Sequence, residues 1–509
     1  MSLLAVDIGS SACKAVQFTV GGEILAQHTS AYTPDFPQPS FAEMDPDKFW
    51  SAVCSCCNSV GSRLSDPVQA LCLSSHGETF VALDGNGQPL APVILNQDSR
   101  ATAEAAWCEQ AIGRKRLFEI TGLVTHAMYT IPKIIWLRKH RREIVDSTAR
   151  FVTLIGYILQ RMRLPAYVDY SLASRFLAFD IRKQTWSEEI LDAAGLRKDK
   201  FKDQLPVPVP AGTIAGKLSS EVASDLGLAP GTLVVVGGHD QACGALGVGA
   251  IGGGRVSDSI GTYECILAAS DAPCRTDAAL AASLNSYCHV VPDKFATIAY
   301  FPSGIMVKWF HELLYSNGSG QVSTETVPEN VERYSSLEAN VPEGPTGLCV
   351  TPHLIGTCNP EFNPHARGVI AGLNPGTTRS QIYKGILEGL ACELSLITEV
   401  LAEAVGDFAD IYVTGGGSRS VLGLRLRAAL TGRRLHVMRS SEAVCLGTAI
   451  LAGVAAGEYR DVSEAVEQMV HETTVLQPDL EMAASYADQV NQYGMLRAAM
   501  MARLDIAAH

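Results

Sequence analysis

The chain has 509 residues, 47% of them hydrophobic and 18% charged, with a net charge of −13. That length exceeds a single core and suits two domains of roughly 250 residues each, and the composition excludes a disordered chain. The acidic balance argues against nucleic acid as a partner but not against small phosphorylated ligands, which glycine-rich backbone and helix N-termini bind without net positive charge. No apolar run reaches the roughly 18 residues that span a bilayer, so no membrane partner is expected. MSLLAVDIGSSACK lacks the basic start of a signal peptide. Fourteen scattered cysteines then read as reduced thiols of a cytoplasmic protein.

In chain order, LLAVDIG, ACKAVQFTV and EILAQHTSAY read as strands, with a turn at Gly21-Gly22. PDKFWSAVCSCCNSVGSRL has apolar residues at helical spacing. Its CSCC run has no second Cys/His pair at finger spacing, so small thiols packed as apolar groups are expected rather than a metal site. VQALCLSS predicts a buried strand and TFVALDGNGQPL a hairpin, followed by a helical region over 101–165. Pro206, Pro208 and Pro210 predict an irregular crossing before KLSSEVASDLGL. TLVVVGGHDQ is an apolar strand that ends on Asp240, and small residues follow it into a helix. Gly237 and Gly238 are expected to leave room for a substrate. After Gly254 the plan restarts: RVSDSIGTYECILAAS, like DIGSSACKAVQF, is two strands around a small-residue turn. Two α/β domains of related architecture follow, 1–248 and 249–509. Segment 316–346 reads as surface loop and helix caps.

The turns carry chemistry. In DIGSSACK, Gly9 permits tight backbone geometry, Ser10 and Ser11 offer donors to a phosphate, and Lys14 adds a cation. Asp7 would repel phosphate and is suited to hold Mg²⁺. An ordinary hairpin with a polar turn fits the same residues. SIGTYE offers a second such turn through Gly261 and Thr262. In IYVTGGGSRSVLGLRL, three glycines between strand and helix let a flat or charged ligand lie on backbone, or let strand and helix pack closely. Neither the dinucleotide fingerprint nor a P-loop is present, which disfavours a nicotinamide-dependent dehydrogenase.

Together these residues resemble the FGGY family of carbohydrate kinases. DIGSSACK is similar to its first phosphate motif, SIGTYE to its second and VTGGGSRS to its adenosine motif. MYTIPKIIWLRKH and GVIAGLNPGTTRSQIYKGILE resemble its two signatures, the latter with Gly385 where Ala or Ser is usual. The resemblance implies two actin-like ATPase (ribonuclease H-like) domains around a central cleft that closes on its substrates, and a homodimer. It implies transfer of the γ-phosphoryl group of ATP, with Mg²⁺, to a sugar hydroxyl. Asp240 is then the catalytic base, and Gly416, Gly417 and Ser420 face the adenosine end. Ser420 stands where many relatives carry Asn.

The implied sugar site joins SSHGETF, LNQDSRA and HDQ. His76 and Glu78 would bond sugar hydroxyls, Asp98 would accept from two of them, Gln241 would donate and accept, and Met128 would form an apolar wall. The His76-Gly77 pair resembles xylulose kinases, Gly-Glu-Thr glycerol kinases, and Gly-His-Asp fuculose kinases. IGTCNPEFNPHARG replaces the usual ERTP-type segment. D-xylulose is the first candidate; another ketose or a polyol (fuculose-, ribulose-, erythritol- or glycerol-like) is the alternative. A non-catalytic nucleotide- or sugar-binding protein of the actin fold is the rival from another class. It is disfavoured because Asp7, Lys14, Asp240 and both phosphate turns are all present.

Overall fold

The computed structural model describes residues 1–507 except 62–66, 197–200, 253 and 316–336. Most of the segment expected to be a surface loop, 316–346, therefore lies outside the described residues. No helix among the described residues is long and apolar enough to cross a membrane.

Two large sheets organise the chain. The first contains β1 (Ser2–Ile8), β2 (Ala12–Thr19), β3 (Ile24–Ala31), β4 (Val68–Ser75), β5 (Ile214–Lys217) and β6 (Leu233–His239), ordered β5-β6-β4-β1-β2-β3. The second contains β7 (Arg255–Ile260), β8 (Tyr263–Ser270), β9 (Asn285–Cys288), β10 (Phe295–Pro302), β11 (Asp410–Thr414), β12 (Arg434–Met438) and β13 (Glu472–Leu476), ordered β9-β10-β8-β7-β11-β12-β13. The pairing repeats. β1 runs antiparallel to β2 and parallel to β4; β7 runs antiparallel to β8 and parallel to β11. The central strands β1 and β4 are near-continuous apolar runs because both faces are covered.

Five helices position the site: α1 (Pro46–Gly61), α2 (Asp240–Gly247), α3 (Arg379–Val405), α4 (Val421–Thr431) and α5 (Ala443–Ala456). In α1, Cys56 and Cys57 are fully buried, and the Cys56 thiol lies 3.3 Å from the Cys13 carbonyl. Helices α2 and α5 cross at almost backbone contact. A Cβ on Gly247 would stand 1.9 Å from the Ala443 carbonyl oxygen, and one on Gly447 would stand 1.8 Å from that of Cys243. The chain reaches the second sheet just after α2, yet α5 returns: Leu446, Ile450 and Leu451 share one core with Leu3, Val6 and Leu73. Each sheet is thus completed by residues distant in sequence.

Three local expectations are corrected. Val207–Val209 is not irregular but pairs in parallel with Tyr167–Asp169; in a two-stranded sheet the missing Pro208 N–H leaves no ladder broken. The region 101–165 is mainly helical, but Arg150–Thr153 is a strand paired with Phe80–Leu83. The expected hairpin after Leu83 is short, one bridge from Leu83 to Pro89 flanked by the Asp84 N–H donating to the Gln88 carbonyl and the Leu90 N–H to that of Ala82, each at 2.9 Å.

Candidate active site

β1 ends at a turn closed by the Gly9 N–H donating to the Ala12 carbonyl at 2.9 Å; β7 ends at one closed by Gly261 donating to Tyr263 at 3.0 Å. In both turns the next amides, those of Ser10, Ser11 and Thr262, have no protein acceptor among the described residues. Parallel neighbours support the strand ends. Asp7 stands opposite Lys14 on β2 and Ser74 on β4, and Ser259 stands opposite Cys265 on β8 and Thr414 on β11.

Between the sheets lies a cavity of about 220 Å³ whose lining includes Asp7, Lys14 and Gln241 from the first half and Ser259, Thr414 and Gly415 from the second. Asp7 accepts from the Ser74 hydroxyl at 2.9 Å. Burial raises its carboxyl to about 6, against the opposing pull of that bond and of Lys14. Lys14 pairs with Glu442 at 2.7 Å.

Asp240 is the first residue of α2, and Oδ1 accepts from the Gln241 N–H at 2.6 Å. Its Oδ2 has no protein hydrogen bond among the described residues. Burial, then the nearby charge of Asp7, pushes its carboxyl up to about 8. His239 Nε2 stands 3.4 Å from Asp240 Oδ1, and its Nδ1 lies 3.2 Å from the Tyr287 hydroxyl of the second sheet. Oxygen-only donors facing one another in a buried cleft suit a hard cation such as Mg²⁺. Among the described residues no group of three His, Cys, Asp or Glu side chains forms a metal cage, so Asp7 would have to share such an ion with water or ligand oxygens.

The strand leading to Asp240 carries a bulge at Gly237-Gly238, where its pairing with β4 shifts register. These glycines do not leave room for a substrate. A Cβ on Gly237 would meet the Leu73 carbonyl oxygen at 2.1 Å, and one on Gly238 would meet Val290, Ser171 and Asp169 within 2.9 Å. They let the strand pass close enough for Asp240 to reach the cleft.

The glycine triplet divides in a similar way. Gly415 has φ +89°, and a Cβ there would stand 2.6 Å from the Ile260 carbonyl oxygen; one on Gly417 would stand 2.2 Å from Ile260 Cγ2. Gly416 faces open space. Behind it, Glu264 pairs with Arg427 at 2.7 Å, both buried, tying β8 to α4.

Three expected contact residues are otherwise engaged. Asp98 accepts from the Ala42 N–H at 2.7 Å and from the Arg100 backbone and guanidinium at 2.7–3.0 Å, which leaves no oxygen for sugar hydroxyls. His76 donates from Nδ1 to the Ile8 carbonyl at 3.0 Å, so Nε2 is the acceptor for the Thr79 hydroxyl at 2.8 Å; no ring nitrogen is left for a sugar. Ser420 caps α4, accepting from Gly423 at 3.0 Å and donating to Glu338 at 2.6 Å, so its hydroxyl is not available to adenosine. Met128 is half-buried against the first core. Gln241 keeps an unbonded side-chain amide at the cavity wall. Residues missed from the sequence are Ser259, Thr414, Glu442 and Arg175. Aligning the two strand–turn repeats would have found Ser259 and Thr414, which match Asp7 and Ser74; nothing local signals the others.

Comparison with known proteins agrees with this architecture. Models of the N- and C-terminal domains of the FGGY family of carbohydrate kinases match residues 2–247 and 256–456. The chain is 28% identical to a gluconokinase of Bacillus subtilis over 95% of its length and 93% of the relative's. It is 28% identical to a xylulose kinase of Escherichia coli over 95% and 96%. Among solved structures, a ligand-bound xylulose kinase from Lactobacillus acidophilus superposes with a TM-score of 0.87 at 22% identity, covering 98% of both chains. With two like-built sheets around a cleft and both family domains matched in order, the chain belongs to the FGGY family of carbohydrate kinases and is a sugar-phosphorylating enzyme.

Proposed function

We propose that the protein transfers the γ-phosphoryl group of ATP to a hydroxyl of a ketopentose, D-xylulose first among the candidates, with Asp240 as general base. The observation that carries this is the convergence, beside Asp240, of Asp7, Lys14 and Gln241 from one half and Ser259 and Thr414 from the other on a single cavity. Asp240 Oδ1 is fixed by the Gln241 N–H. Oδ2 is free to orient the attacking hydroxyl and take its proton as the P–O bond forms. Once ionised, a carboxyl raised to about 8 is a far better proton acceptor than an ordinary aspartate. The free amides of Ser10, Ser11 and Thr262 suit phosphate oxygens. The open face of Gly416, beside Gly417, suits the adenosine end. Asp7 would hold Mg²⁺, directly or through water, and the ion supplies charge neutralisation at the phosphates. The two halves, 1–248 and 249–509, act as domains that exclude water from the phosphate by closing.

Relatives named xylulose kinase and gluconokinase match at equal identity, so a sugar acid is the second reading. An ADP-release screen over ketopentoses, 6-deoxyketoses, polyols and sugar acids tests both. Release with D-xylulose above all others supports the first; release with no sugar, despite ATP binding, overturns the catalytic reading.

A further inference from the structure

The acceptor side of the cleft holds an ion pair that phosphoryl transfer alone does not require. Arg175 follows the short helix Tyr170–Ser174, and both its Nε and Nη2 donate to Oε1 of Glu78. The two side chains are 8% and 3% exposed. The rings of Tyr129 and Tyr287 each lie 5.2 Å from the guanidinium Cζ, and Nη1 is shielded from solvent with no hydrogen-bond partner among the described residues. Oε2 of Glu78, by contrast, has no protein partner among the described residues.

The backbone of Glu78 is fixed as firmly as its side chain. Its φ is +64°, a conformation that a non-glycine residue keeps only where its surroundings enforce it. Here Lys133 Nζ holds the Glu78 carbonyl at 3.4 Å and the Leu95 carbonyl at 2.7 Å. Gly77 makes the space, since a Cβ there would meet Arg175 and His239 at 3.0 Å.

We infer that the acceptor pocket takes an uncharged ketose or polyol and rejects a sugar acid, with Glu78 Oε2 receiving a substrate hydroxyl and Arg175 acting as the positioning residue that fixes it. The inference deepens the kinase reading and rests on it. Asp7 and Glu78 both bear electrostatically on Asp240 across this cleft. None of the cations near them is open to a ligand: Arg175 is held by Glu78 with its remaining Nη1 shielded, Lys133 is held by carbonyls, and Lys14 is held by Glu442 at the phosphate end. Burial keeps the imidazoles of His76, His126 and His239 neutral. A hydroxyl donates to a carboxylate, whereas a substrate carboxylate can only accept and, beside Glu78, would be buried with no free cation to pair it.

Matched ligands test this: xylitol against D-xylonate and D-glucitol against D-gluconate, with D-xylulose, by calorimetric binding and by ADP release. Wild type should favour the neutral member of each pair by about tenfold or more. Glu78→Gln, which frees the guanidinium from its carboxylate, should narrow that preference about tenfold, and Glu78→Asp should restore part of it. A merely structural role for the pair would weaken all ligands alike. Preference of wild type for the acids, or an unchanged preference in a folded Glu78→Gln protein, overturns the inference. ADP release confined to sugar acids overturns it while leaving the kinase reading intact. Neutral-selective binding with no ADP release does the reverse.

Discussion

The two halves share a strand plan and differ in what they place at equivalent positions. β1 ends Asp7-Ile8-Gly9 and β7 ends Ser259-Ile260-Gly261. Asp7 has Lys14 and Ser74 as register partners; Ser259 has Cys265 and Thr414. Both turns leave free amides at their strand ends, but the cavity between the sheets is lined unequally: the first half adds Asp7 and Lys14, while the second adds hydroxyls, glycine backbone and Glu442, the partner of Lys14. A repeated scaffold therefore supplies the same strand-end turn twice, and under the proposed function the residues that break the repeat would set the chemistry. On the proposed reading, Asp7, Glu78 and Asp240 all belong to the first half, which would concentrate metal and proton chemistry on one wall of the cleft.

The comparison breaks most sharply at Asp240. Asp240→Asn keeps the shape and removes the proton acceptor, so turnover should fall on the order of 10²-fold or more while circular dichroism stays unchanged. Near-normal turnover would remove Asp240 from the chemistry. Making the halves alike should be the next largest effect. Ser259→Asp places a second carboxylate at the phosphate cavity and should raise KM for ATP about tenfold with a smaller change in KM for sugar, because like charges oppose phosphate. Equal changes in both would show that Ser259 does not face the nucleotide.

The glycine triplet sharpens the contrast between packing and binding. Gly417→Ala forces a Cβ against Ile260 and should cost about 1–3 kcal/mol in denaturant unfolding. Gly416→Ala meets open space and should stay within about 0.5 kcal/mol while weakening nucleotide binding. The reverse order of stabilities would contradict the geometry.

The smallest effect is on pH dependence. The Asp240 carboxyl is raised from 3.8 to about 8, so across that window the folded chain retains a proton that the unfolded chain has released. Stability therefore falls as pH rises through the window. Asp240→Asn abolishes this loss, and its melting temperature should exceed that of wild type by more near about pH 8 than near about pH 5. An equal difference at both would mean that Asp240 titrates as an ordinary carboxyl.

Features with local causes were legible in the chain before it folded. Apolar alternation and glycine turns specified DIGSSACK and SIGTYE as strand–turn–strand units, and TLVVVGGHDQ specified a buried strand delivering Asp240 to a helix start. Their order along the chain was enough to suggest the family and a cleft between two like-built halves. Tertiary structure decided which of those side chains remain free. Asp98 looked like a sugar ligand but is saturated by Arg100 and Ala42; His76 is held by Ile8 and Thr79, and Ser420 is a cap bonded to Glu338. Gly237 and Gly238 accommodate neighbouring chain segments rather than substrate. Arg175, 97 residues from Glu78, gave no local sign of its role. The physical reason is that a polar group's availability depends on whether its donors and acceptors are already bonded. Those partners come from strands and helices that meet only when the chain has folded.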